Sequence, residues 1–248
     1  MRWIAILLKT ALTWTVGVVV TIVCALSVIA IALVKDTAPV IDKISLFWSR
    51  TWPVTSGTRL TVEGSEHIDP STSYVVVANH LSTLDIMVCF LATRLPIRYL
   101  AKKELFQIPI LAQGMRAVGI IEVDRQARGS IHATVNRQAK QLIENQRSLI
   151  IYPEGTRPRN GVMKPFKKGA FTMAIAGELP ILPMSIHGTY EAATPGRPWF
   201  RGGPVKVVID PPIATSDMTP ADTGALRDRA HSIIAERVAG MGGDVSGN

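Results

Sequence analysis

Apolar positions are unevenly spread along this chain. From Ala11 to Val34 the stretch "ALTWTVGVVVTIVCALSVIAIALV" carries no charge over 24 residues. As a helix rising 1.5 Å per residue it reaches about 36 Å, enough to cross the hydrocarbon core of a bilayer. The pattern predicts a membrane helix. Arg2 and Lys9 precede it as they would in a secretory signal, but the run exceeds a usual signal core and "LVKD" offers no small-residue cleavage site, which favours retention. Past Lys35, "APVIDKISLFWSRTWP" sets Val40, Ile41, Ile44, Phe47 and Trp48 on one helical face, with Lys43, Arg50 and Trp52 suited to headgroup depth. This predicts an interfacial helix over about residues 39–50, although the same face would serve to pack on a soluble domain.

From about Val62 the pattern changes to short β-branched runs alternating with longer helical periods. That is the signature of an α/β domain with a mostly parallel sheet flanked by helices. The expected strands are Tyr74–Ala78, Ile97–Ala101, Gly119–Val123, Ser148–Tyr152, Ile181–Ile186 and Val205–Ile209. "SIHATVNRQAKQLIENQ" (Ser130–Gln146) is the clearest amphipathic helix, and Ala221–Val238 closes the domain. The organisation expected is a membrane anchor over residues 1–60, a catalytic domain over 61–240, and a disordered tail over 241–248. No internal repeat is visible.

Composition adds a membrane bias. The chain has 248 residues, 47% of them hydrophobic, and a formal net charge of +8. Such a charge suits nucleic acid or an anionic membrane surface. With an anchor present and no nucleic-acid motif, the expected partner is lipid and not nucleic acid. Lys35, Lys43 and Arg50 after the apolar run, against Arg2 and Lys9 before it, favour a cytoplasmic domain held at the cell membrane by a single-pass or monotopic anchor. The two cysteines, Cys24 and Cys89, have neither disulfide nor metal-ligand spacing.

Three polar stretches directly follow expected strands, where loops at one sheet edge commonly build a site. In "NHLSTLD" (Asn79–Asp85), His80 can take a proton from a hydroxyl while Asp85 fixes its tautomer. The structural alternative is a capping box in which Ser82 and Asp85 start the helix "IMVCFLA". "GIIEVDR" ends at Asp124 and Arg125. "YPEGTRP" brings Glu154, Gly155, Thr156 and Arg157, which with Arg125 would form an anion clamp, since Arg presents a planar fork to phosphate oxygens and Gly155 permits close backbone approach. A polar turn with a surface arginine is the plain alternative. Lys164, Lys167 and Lys168 surround Phe166 downstream, as headgroup ligands or as a solvated basic face. His187, after "ILPMSI", reads as a partly buried histidine.

Taken in order, these pieces resemble the glycerolipid acyltransferase family, which includes the 1-acylglycerol-3-phosphate acyltransferases. Its four blocks have the form N-H-x4-D, G-x-I-x-x-x-R, F-P-E-G-T-R and an apolar block with Pro. Here they read "NHLSTLD", "GIIEVDR" (Gly119–Arg125), "YPEGTR" and "ILPMSI" (Ile181–Ile186). The resemblance covers roughly Val75–Gly188. Tyr152 replaces the usual Phe, and Glu122 stands where an apolar or aromatic residue is common.

The resemblance implies that an acyl thioester, acyl-CoA or acyl-ACP, donates to the free hydroxyl of a lysophospholipid, lysophosphatidic acid first among them. His80 and Asp85 would be catalytic. Asn79, Ser82, Arg125, Glu154, Gly155, Thr156 and Arg157 would bind substrate. No metal or other cofactor is expected, because a thioester is already activated. Another lyso-lipid acceptor, such as lyso-ornithine lipid, is the nearest rival. A hydrolase built on Ser82, His80 and Asp85 lacks the G-x-S-x-G elbow, and three triad members within six residues would hardly converge. A non-catalytic lipid-binding protein, with His80 and Asp85 only capping a helix, is the remaining alternative.

Overall fold

The computed structural model describes residues 2–34, 38–123 and 145–245. Arg125 and nearly all of the expected Ser130–Gln146 helix lie outside the described residues. The strands are β1 (Thr58–Glu63), β2 (Val75–Ala78), β3 (Ile97–Lys102), β4 (Ile121–Val123), β5 (Ser148–Ile151), β6 (Ile181–His187) and β7 (Gly203–Ile209). They form one sheet in the order β1-β7-β6-β2-β5-β3-β4. Neighbours run parallel except β6 and β7.

β2 explains the apolar run that opens the first block. It pairs in parallel with β5 and β6, and all four of its residues are buried. Val76 and Ala78 join the cluster containing Leu84, Met87 and Val88 of α3 (Leu84–Thr93). Val75 and Val77 join the opposite cluster, with Phe171 of α5 (Gly169–Ala176) and Leu226 and Ile234 of α7 (Thr223–Gly240). A strand covered on both faces has no polar alternation. Because β2, β5 and β6 are parallel, the chain leaves all three at the same edge of the sheet. Three of the sequence blocks therefore meet there.

The anchor is more than a rod leading away from the domain. α1 (Arg2–Val34) begins nine residues before the expected start of the span and takes in Lys9. It turns back into α2 (Ala38–Ser56), longer than expected at both ends. Trp48 Nε1 donates to Thr21 Oγ1 at 2.8 Å. The Trp52 ring lies so close over Gly17 that a Cβ there would sit 2.7 Å from it. Ala25 meets Gly114 of α4 (Leu111–Val118) just as tightly. Near its start, α1 is bonded to the loop before β7, through Lys9 Nζ to the Arg201 carbonyl at 2.9 Å and Trp14 Nε1 to the Pro198 carbonyl at 3.0 Å. Asp42 of α2 accepts from the fully buried Arg98 of β3 at 2.7 Å. The other face of α1 is apolar and exposed, through Trp3, Leu8, Val19, Val23 and Leu33.

Two expected boundaries are corrected. β1 starts at Thr58 and pairs with β7 from Thr58↔Gly203 to Glu63↔Val208, so residue 60 falls inside a strand. The C-terminal residues 241–245 are not a disordered tail, since Met163 N–H donates to the Asp244 carbonyl at 3.0 Å and Met163 bridges to Val245. Residues 246–248 lie outside the described residues.

Candidate active site

His80 leaves the end of β2 and lines a cleft of about 1660 Å³. Its Nδ1 lies 2.8 Å from Asp85 Oδ2. Asp85 is fully buried in the first turn of α3. The same Oδ2 accepts the N–H groups of Leu81 and Ser82, both at 2.7 Å. Three donors on one oxygen suit an ionised carboxylate, and the pairing puts the imidazole proton on Nδ1. Nε2 is then the free basic nitrogen. The two readings of "NHLSTLD" merge here, because Asp85 makes the reciprocal capping bond to Ser82 N–H and also orients His80.

A second contact fixes the ring from below. Tyr152 stacks on His80 with centroids 3.9 Å apart and planes 11° from parallel. Burial pushes the Tyr152 phenol well above its ordinary range, so it stays neutral, and its hydroxyl touches Cys89 Sγ at 3.4 Å. An aromatic at this position is therefore a platform for the imidazole.

Glu154 is a brace and not part of an anion clamp. It is 4% exposed. Its Oε1 accepts His80 N–H at 2.7 Å and its Oε2 accepts Lys164 N–H at 2.9 Å. A buried carboxylate so engaged ties two loops together and would repel a phosphate. Burial pushes its pKa up to about 7, against the two N–H bonds that pull it down. Gly155 closes a turn at φ 79°, with its N–H donating to the Tyr152 carbonyl at 3.0 Å. A Cβ there would lie 2.9 Å from Lys167 Nζ, so the missing side chain makes room for a lysine of the cleft wall.

Asn79 and Ser82, expected to bind substrate, are fully buried structural residues. Asn79 donates Nδ2 to the Ile186 carbonyl and accepts Ile186 N–H, both at 2.8 Å, extending the contact between β2 and β6. The Ser82 hydroxyl donates to the Ala193 carbonyl at 2.7 Å. Its proton is thus given to Ala193 and not to the imidazole, which counts against the hydrolase reading. Thr156 and Arg157 do line the cleft, and Arg157 Nη1 donates to Thr83 Oγ1 on the His80 loop. Lys168 and His187 do not line it. Glu122 forms an exposed 3.4 Å pair with Arg116.

The cleft has two characters. Its apolar part is walled by Ala25 and Val28 of α1, Trp48 of α2, Phe90 of α3 and Met115 and Val118 of α4. Its basic part holds Arg157, Arg159, Lys167, Arg197 and Arg201. Arg159, Arg197 and Arg201 went unread in the sequence. The last two sit in "TPGRPWFRGG", which has no periodicity, and their only signal is two arginines in a Pro- and Gly-rich loop. Among the described residues no three His, Cys, Asp or Glu side chains converge as metal ligands would.

Comparison with known proteins agrees with this arrangement. The acyltransferase family model matches residues 59–187. Human 1-acyl-sn-glycerol-3-phosphate acyltransferase alpha is 35% identical over 181 residues, 72% of this chain. The human beta form is 30% identical over 225 residues, 89% of this chain. The chain spans 63% of the alpha form's length and 77% of the beta form's. The crystal structure of the 1-acyl-sn-glycerophosphate (LPA) acyltransferase PlsC from Thermotoga maritima superposes with a TM-score of 0.84 at 26% identity, covering 97% of this chain and 98% of that one. With the family model spanning more than half of the chain, and its first and third blocks folded against each other around His80, this chain belongs to the acyltransferase family.

Proposed function

We propose that the protein transfers a fatty acyl group from an acyl thioester to the free hydroxyl of 1-acyl-sn-glycerol-3-phosphate, giving phosphatidic acid. The observation that carries this reading is the position of His80 in a cleft with an apolar part and a basic part, its Nδ1 held by Asp85 and its Nε2 free. An amphiphile fits such a cleft with its chain in the apolar part and its phosphate in the basic part. His80 Nε2 takes the hydroxyl proton as the oxygen attacks the thioester carbonyl. Asp85 stabilises the imidazolium that forms, and the proton then passes to the departing thiolate. The phosphate of lysophosphatidic acid lies only a few bonds from the attacking oxygen. Arg157, bonded to Thr83 on the loop of His80, is suited to hold it, so that headgroup binding orients the hydroxyl.

The same reading assigns the outer face of α1 to the bilayer. A helix attached to the domain along one face and apolar on the other suits insertion into one leaflet, with the domain on the cytoplasmic side as the flanking charges favour. The cleft then draws both acceptor and product from the membrane plane.

The test is thiol release from palmitoyl-CoA by the purified protein in lipid, with phosphatidic acid followed as product. Release is expected to require lysophosphatidic acid and to weaken strongly when monoacylglycerol, which lacks the phosphate, replaces it. Release without any acceptor, or no phosphatidic acid, overturns the reading.

A further inference from the structure

The reaction proposed above brings two phosphate-bearing substrates into one cleft, and its basic residues fall into two groups. Arg157 belongs to the His80 loop, through its bond to Thr83. Arg197 and Arg201 belong to the loop between α6 (Thr189–Ala192) and β7, which is fastened to the beginning of α1. Arg201 N–H donates to the Ala192 carbonyl at 2.8 Å, and Lys9 Nζ to the Arg201 carbonyl at 2.9 Å. Phe200 N–H donates to Thr10 Oγ1 at 3.0 Å, and its ring packs on Trp14 and Trp52. Arg159 faces the same end, its carbonyl accepting the Tyr190 hydroxyl of α6 at 2.8 Å.

Among the described residues, the guanidinium groups of Arg159, Arg197 and Arg201 have no hydrogen-bond or ion-pair partner. The loop is thus held by its backbone and by apolar packing, while its cations stand unneutralised in the cleft wall. The apolar part of the cleft meets α1 at Thr21–Val28, whereas this loop meets it at Lys9–Trp14. At 1.5 Å per residue the near ends of the two contacts, Trp14 and Thr21, lie about 10 Å apart along α1. A lysophosphatidic acid phosphate cannot reach far from its own hydroxyl. The phosphate of a phosphopantetheine arm can, because the arm separates it from the thioester by a long flexible chain.

Resting on the acyl-transfer reading, we propose that Arg197 and Arg201, with Arg159, form a cradle for the phosphate groups of the acyl donor, distinct from the acceptor site at Arg157. Coenzyme A and a carrier protein both supply that chemistry. Guanidinium groups grip phosphate oxygens by paired, charge-assisted bonds, and an anchored loop loses little freedom in doing so.

The test is an Arg197→Gln/Arg201→Gln double variant of the full chain in lipid. Equilibrium binding of hexadecyl-CoA, an unreactive thioether, is expected to weaken about 10- to 100-fold and to lose much of its salt dependence. In turnover, KM for palmitoyl-CoA rises while KM for lysophosphatidic acid moves far less. With S-palmitoyl-pantetheine, which has no phosphate, the loss shrinks to about twofold. S-palmitoyl-phosphopantetheine separates the sources. A loss there equal to that with palmitoyl-CoA assigns the cradle to the phosphate shared with carrier proteins, and a loss confined to palmitoyl-CoA assigns it to the nucleotide phosphates.

Unchanged hexadecyl-CoA binding overturns the proposal, as does an equal loss with the phosphate-free donor or a rise confined to the acceptor KM. If the variant instead loses only its sedimentation with anionic vesicles, the arginines serve the membrane surface and the proposal fails. Arginine-dependent hexadecyl-CoA binding without any acyl transfer would sink the activity while leaving the cradle standing.

Discussion

Asp85 and Glu154 are both buried carboxylates that accept main-chain N–H groups near His80, yet they do different work. Asp85 gathers Nδ1 of His80 and two N–H groups on one oxygen. Glu154 spreads its oxygens over His80 N–H and Lys164 N–H. The first sets the direction and tautomer of the ring. The second sets the position of the backbone from which the ring hangs, and binds the loop after β2 to the segment before α5. Contact with the imidazole, and not burial of an acidic group, is what singles out Asp85 for the proposed catalytic duty.

The largest effect expected is for His80→Ala. It removes the proposed base while leaving the braces of the loop in place, and should lower turnover on the order of 10²–10⁴-fold with folding retained. A folded variant that keeps wild-type thiol release would end the base assignment. Asp85→Asn comes next. Its amide oxygen still accepts the Leu81 and Ser82 N–H groups, but the charge that stabilises the imidazolium is gone. A loss of about 10²-fold, in kcat and not in KM, is expected. A pure KM effect would make Asp85 only a structural cap.

Glu154→Gln sharpens the comparison through pH. Burial raises Glu154 from its ordinary 4.5 to about 7, so the folded protein keeps a proton that the unfolded chain gives up. The stability due to this group is full below about pH 4.5 and declines as pH rises to about 7. Thermal unfolding of Glu154→Gln should lack that decline. Relative to wild type, the variant should therefore gain stability as pH rises from about 4.5 to about 7. Parallel pH profiles for the two proteins would refute the raised carboxyl. Tyr152→Phe is expected to matter least. It keeps the stack under His80 and loses only the contact to Cys89, so steady-state rates should stay within about twofold, whereas Tyr152→Ala removes the platform. A large loss in Tyr152→Phe would give the hydroxyl a role that the stacking does not.

Six strands were legible from their β-branched runs, most plainly β2, β5 and β6, because a strand buried on both faces must be apolar throughout. β1 was not, since an edge strand with Leu60 and Val62 alone leaning on the core carries too little pattern. His80 and Arg157 were legible as cleft residues, and Asp85 as the partner of His80, because their chemistry lies within short motifs after strands. Asn79, Ser82 and Glu154 were misread for the same reason. A motif records that a polar residue is needed, but whether it faces the ligand or the neighbouring loop depends on segments as distant as Ile186, Ala193 and Lys164.

The sequence by itself determined the α/β class, the apolar first helix and the histidine with its carboxylate, since each is written in local periodicity or spacing. Tertiary structure alone decided that α1 lies along the domain and helps wall the cleft. It alone made Glu154 a brace, and brought Arg159, Arg197 and Arg201 to one end of the cleft. Those outcomes depend on contacts between residues far apart in the chain, such as Lys9 with Arg201 and Gly17 with Trp52, which no local pattern encodes.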